Sequence, residues 1–205
     1  MANSWRQTDK QYYFPKGVAQ LTLPATNYIA LTGVGDPNQP AFSRDIEAMY
    51  PLAYAIRALL KNAETPYVYS VYPLEGVWTT TDGSRGENLN KAALAYRLMI
   101  KQPDCVTTAI FAEAQAAAIA KKGLQKLSEI TFEQLPEAQV VQAIHVGSFD
   151  TESDTFAQMD AYLHAHQLNR VPIVADYWHR EVYLSDFRRV AEAKRKNLLR
   201  YRVEK

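Results

Sequence analysis

Hydrophobic and polar positions along the chain trade periods several times. In GVAQLTL, Ala19, Leu21 and Leu23 share one side and Gln20 and Thr22 the other, the period of a half-buried strand that Pro24 ends. Tyr28 to Thr32 reads as a second strand, stopped by the turn formers Gly33-Val34-Gly35-Asp36-Pro37. Spacings of three and four then take over: Ile46, Met49, Tyr50, Ala53, Tyr54, Ile56 and Leu60 predict a helix capped by Ser43 and bent at Pro51. Extended segments follow at Tyr67–Tyr72 and Leu94–Lys101, separated by PLEGVW and a polar loop from Thr79 to Asn90. An alanine-rich helix is predicted from about Thr107 to Gly123, with Ile110, Ala114 and Ala117 as its apolar face.

The opening pattern then recurs. Ile130–Leu135 and Val140–Val146 read as strands, Thr151 caps a helix carrying Phe156, Met159, Tyr162, Leu163 and His166, and Val182–Leu184 and Leu198–Val203 are strand-like. YIALTGVGDP and VQAIHVGSFD each run a strand through a glycine turn into a helix, which suggests one unit used twice. The fold class expected is α+β: two tandem strand-helix-strand-strand modules in pseudo-twofold array, antiparallel half-sheets with a ligand cleft between them. The modules span about 17–102 and 128–204, with a linker helix at 107–123, in one domain over 1–205.

Composition narrows the chemistry. Lys plus Arg number 23 against 22 Asp plus Glu, a balance that argues against a dedicated nucleic-acid binder. No segment supplies the ~20 apolar residues of a membrane span. The single cysteine, Cys105, excludes an internal disulfide and is expected as a small buried hydrophobe; a soluble, cytoplasmic protein is the reading. GxxxxGK[ST], GxGxxG and HExxH motifs are lacking, and His164 and His166 point to different helix faces, so neither cofactor nor metal is expected. Seven cations near the end (Arg188, Arg189, Lys194, Arg195, Lys196, Arg200, Arg202) read as an edge strand protected by charge. Thirteen tyrosines suit either half-buried strand positions or a ligand-lining surface. Tyr50, Tyr54 and Tyr162 fit the core.

HREVYLSD is the informative stretch: Glu181 and Tyr183 alternate with Val182 and Leu184. If the apolar pair faces the helices, Glu181 and Tyr183 face the cleft, with Glu75, Trp78, Tyr67, Tyr69 and Tyr72 as counterparts from the first half. A carboxylate among aromatic walls suits a flat organic cation, or becomes a general base if its pKa rises. An exposed glutamate on an edge strand, paired with Arg180 or Arg188, satisfies the same residues.

YIALTGVGDPNQP, YPLEGVW, YRLMIKQPD, VQAIHVGSFDTE and HREVYLSDFRR together resemble the GyrI-like small-molecule-binding proteins, above all their stand-alone bacterial branch, from about Tyr12 to Val203. The resemblance implies the tandem-module fold and a cleft glutamate, here Glu181, that receives lipophilic cations. His145 and Phe149, in the second-half strand-turn motif, join the candidate lining. Some stand-alone members hydrolyse the strained cyclopropane of DNA-alkylating natural products; Glu181 would then activate water and Tyr183 position it, with Trp78 holding the flat ligand. Relatives with a topoisomerase-protecting role supply a third reading, although nothing in the sequence marks a partner surface. This chain has Arg180, Thr79 and Phe187 where many relatives carry histidine, tryptophan and proline. Strands beginning near Gly17 leave no helix-turn-helix, so direct operator binding is not expected.

Overall fold

The computed structural model describes residues 3–186 and 189–205; Phe187 and Arg188 lie outside the described residues. Nine strands form one sheet: β1 (Ala19–Leu23), β2 (Thr26–Val34), β3 (Leu74–Thr80), β4 (Leu94–Gln102), β5 (Thr131–Leu135), β6 (Ala138–Val146), β7 (Asn169–Val171), β8 (His179–Tyr183) and β9 (Lys196–Glu204). The helices are α1 (Trp5–Thr8), α2 (Lys10–Tyr13), α3 (Pro40–Asn62), α4 (Thr108–Lys122) and α5 (Glu152–His166). Strand order is β1-β6-β9-β8-β3-β4-β2-β5, with β7 also on β9, and every pairing is antiparallel.

This order contains the duplication and alters the expected picture of it. β2-α3-β3-β4 and β6-α5-β8-β9 are equivalent units, but their half-sheets fuse into one sheet because β3 pairs with β8. Each unit also lends a strand to the other. β1 pairs with β6 of the second unit, and β5 with β2 of the first, through the two-residue links Pro24-Ala25 and Pro136-Glu137. Links that short, joining strands near opposite ends of the order, require the sheet to curl until its ends approach.

The convex face carries the helices. α3 packs on β2 and β4, and α5 on β6. Ile46, Met49, Leu52, Ala53 and Ile56 of α3 are buried against Ile29, Leu31, Leu98 and Ile100. The helix starts at Pro40, whose fixed φ suits the first turn, so Ser43 lies inside it; it continues past Pro51 to Asn62. α4 runs as predicted, with Thr107 accepting from Ile110 N at 3.3 Å and Gly123 at φ 63° ending it. Its buried stripe is Phe111, Ala114 and Ala118, so Ala117 is exposed.

The concave face is closed by the N-terminal segment, which the sequence reading left unassigned. Trp5 and Tyr13 pack on Val182, Leu184 and Leu198. The apolar pair of β8 therefore faces α1 and α2 and not the two long helices. Tyr67–Tyr72 forms no strand beyond the single bridge Asn3↔Tyr69. Two further expectations are corrected. Cys105 is exposed, in the turn between β4 and α4. β9 is no edge: it lies between β6 and β8, and Arg200 within it is 2% exposed. Among the described residues, no helix is long and apolar enough to cross a membrane.

Candidate functional site

Where the two units join, β3 and β8 run between the helices, and their convex-face side chains form the site. The register sets Trp78 opposite His179 and Gly76 opposite Glu181. Alternation then places Trp78, His179, Glu181 and Tyr183 on one face. Gly76 is required here by close approach. A Cβ at this position would lie 2.7 Å from Trp78 Nε1 and 2.8 Å from the Tyr183 hydroxyl oxygen, so its absence lets both rings fold over the strand. Trp78 is held from below by Phe42 and Tyr96, each with ring centroids 5.5 Å away. Its indole N–H is buried beside the Tyr183 hydroxyl, which it helps to hold.

Glu181 is largely buried, its side chain 13% exposed. His179 Nε2 lies 2.7 Å from Glu181 Oε1. Asn197, from β9, donates through Nδ2 to Glu181 Oε2 at 3.2 Å and to Glu152 Oε1 at 2.6 Å. Glu152 is the first residue of α5 and is buried. Burial, and then the charge of Glu181, push its carboxyl up to about 9, against the smaller opposing effect of the Asn197 hydrogen bond. The two glutamates thus hold a proton at neutral pH. Tyr183 is kept in its donating phenol form by burial first and by the Glu181 charge second. Glu152, His179 and Glu181 each offer a ligand atom within 4.8 Å of the others, a donor set not visible in sequence spacing.

Only part of the predicted lining meets here. Glu181, Tyr183, Trp78 and Phe149 do: Phe149 stands edge-on to Tyr183 with centroids 6.2 Å apart. His145 does not line it. Its Nδ1 lies 2.9 Å from Thr155 Oγ1 and its Nε2 2.9 Å from the Ser148 carbonyl, so it fixes the turn that presents Phe149 and Glu152. Glu75 is on the opposite face, fully buried and bonded to Arg180 Nε at 2.7 Å, because three strand positions separate it from Trp78. Tyr69 is buried, its hydroxyl on Gln102 at 3.3 Å, and the Tyr67 ring lies tilted against it with centroids 5.9 Å apart. Tyr72 bonds Asp9 at 3.0 Å.

Tyr72 nevertheless joins a second recess. A groove of about 850 Å³ runs from Tyr183 between α3 and the segment entering β3, walled by Trp5, Tyr50, Tyr54, Tyr72 and Asp186. Tyr50 and Tyr54, expected in the core, face this groove; Tyr54 is 56% exposed. Tyr183 is the shared wall of groove and carboxylate cluster. Glu152, His179 and Asn197 went unnoticed in the sequence. A glutamate one residue after a capping threonine reads as helix-start chemistry, and nothing in its spacing points to β8.

A twice-used strand-helix-strand-strand unit, joined edge to edge with an aromatic and carboxylate cluster over the join, defines a small-molecule-binding class of protein. The chain matches the GyrI-like small molecule binding domain over residues 18–200 and belongs to that family. An uncharacterized conserved protein from Listeria innocua superposes with a TM-score of 0.88 at 28% identity, covering 98% of this chain and 100% of its own. A hydrolase from the same organism gives 0.87 at 27% identity, with 100% of both chains covered. The C-terminal domain of EcmrR shares the fold alone, at 14% identity and a TM-score of 0.54. No curated protein matches the chain.

Proposed function

We propose that this protein captures hydrophobic aromatic molecules, cationic or electrophilic, over the β3–β8 join, with Glu181 as the charge-bearing residue. The observation that carries this reading is the Glu181–Asn197–Glu152 cluster bordered by Trp78, Tyr183 and Phe149. With Glu152 held protonated by burial, Glu181 is the carboxylate left to face a cation, and the rings supply stacking area. A lipophilic aromatic cation should raise the melting temperature, and Glu181→Gln should remove most of that rise. Equal stabilisation of the variant would take Glu181 out of the site.

A second reading is favoured by the same carboxylate pair and by the likeness to a Listeria hydrolase. Addition of water to a cyclopropane conjugated to a carbonyl needs a base, an acid and a flat cradle. Glu181 would take a proton from water as its oxygen bonds the ring methylene. The ring C–C bond breaks, its electron pair passes to the carbonyl oxygen, and Glu152 or Tyr183 supplies the proton there. The net change is one water added. Mass spectrometry after incubation with a cyclopropane-bearing alkylator tests this: a product heavier by one water, lost in Glu181→Gln, supports catalysis, whereas an unchanged alkylator restricts the protein to binding.

A further inference from the structure

The concave side of the sheet holds a second polar centre that the proposed function does not use. Arg180, on β8, is 4% exposed; its Nε bonds Glu75 Oε2 at 2.7 Å and its Nη2 bonds the Tyr28 hydroxyl at 2.6 Å. Arg200, beside it in register on β9, is 2% exposed. Its hydrogen bonds go to neutral groups: Nε to Gln142 Oε1 at 2.8 Å and Nη2 to the Tyr12 carbonyl at 2.6 Å. Among the described residues Arg200 has no carboxylate partner. The buried set therefore comprises two guanidiniums against one carboxylate, an uncompensated positive charge in the interior.

A buried charge without a counter-charge costs several kcal/mol, so native proteins pair it. The pairing partner has a place. A cavity of about 40 Å³ lies inside the curl of the sheet, walled by Arg180, Arg200, Arg202, Lys101, Tyr28 and Ile173 among others. None of its lining residues is an aspartate or glutamate. Two of the cations on its wall are already neutralised, Lys101 by Asp9 at 2.7 Å and Arg180 by Glu75, and Arg202 reaches Glu204 at 3.3 Å. Arg200 is the one left over. Gln142, the register partner of Arg200 on β6, is fully buried and spends its Oε1 on the Arg200 guanidinium.

We infer that this cavity is a binding site for one small monovalent anion, of the size of chloride or formate, held by Arg200 and acting as the counter-charge that completes the interior. Burial, and then the neighbouring Arg180, lower the Arg200 guanidinium to about 10, as expected for a cation short of a counter-charge. The site lies on the face opposite Glu181, so it is independent of the aromatic cleft.

Because the anion would bind the folded chain alone, it stabilises by mass action. Thermal unfolding at constant ionic strength is the test, with chloride or formate exchanged stepwise for the much bulkier gluconate. The melting temperature of the wild type should rise on the order of 3 °C between 1 and 200 mM chloride, with formate acting similarly. Arg200→Met should abolish this dependence. Should that variant fail to fold, Ala138→Leu, which fills the cavity wall and leaves Arg200 in place, should abolish it as well. No difference between chloride and gluconate in the wild type overturns the inference, as does a chloride dependence retained by either variant.

Discussion

Replacing Glu152 by glutamine should stabilise the protein, although it removes a buried, hydrogen-bonded side chain. The folded carboxyl titrates at about 9, against 4.5 for an unperturbed glutamate. Between those values the unfolded chain has released a proton that the folded chain keeps. Stability therefore falls as pH rises through this window, by about 1.4 kcal/mol per unit, and the contribution is present in full only below 4.5. At pH 7 the accumulated cost is on the order of 3 kcal/mol. Glutamine has the shape of the protonated acid, and its carbonyl oxygen still accepts from Asn197 Nδ2, but it has no proton to lose on unfolding. Thermal unfolding of wild type and Glu152→Gln from pH 4 to pH 9 measures the difference. The two should nearly coincide at pH 4 and diverge steadily above it; at pH 7 the variant should melt roughly 6–12 °C higher. A constant offset between the two curves, or a variant weaker at pH 8 than the wild type, would refute the placement of the proton on Glu152.

Two other substitutions probe the sheet around the join. Gly76→Ala should cost about 1–3 kcal/mol in chemical unfolding, because the new methyl meets the Trp78 and Tyr183 rings and not open solvent; the intrinsic tryptophan emission should shift with it. Glu75→Ala should cost about 3–5 kcal/mol, since it strands Arg180 beside an already unpaired Arg200, whereas Glu181→Gln on the other face should change stability far less; equal losses would mean that Arg180 has another partner.

The repeated unit was legible because strand alternation and helix spacing are local signals, and both YIALTGVGDP and VQAIHVGSFD keep theirs. The pairing of β3 with β8 was not, because register between distant strands leaves no mark on either segment. That pairing decides which side chains meet. Glu181, Tyr183 and Trp78 could be chosen from HREVYLSD and YPLEGVW, yet parity along β3 sends Glu75 to the concave face while Trp78 stays convex. His145 looked like lining from its motif, but its two ring nitrogens are consumed in holding a turn. The cationic C-terminal run misled for a related reason. Arginines normally mark solvent, and only the tertiary order shows that β9 lies inside the sheet, with Arg200 facing a cavity.

The reciprocal loan of β1 and β5 makes each half incomplete by construction. A fragment ending before α4 would carry β1 without β6 to pair with, and would leave β2 exposed where β5 belongs. Separately expressed halves should accordingly be aggregation-prone alone and recover their fold only when mixed. The same interlock acts as a brace: swinging the halves apart about the β3–β8 join would strip two strand pairings at once. On the proposed function, access to Glu181 would then depend on movements of side chains around the join and not on a hinge between the halves.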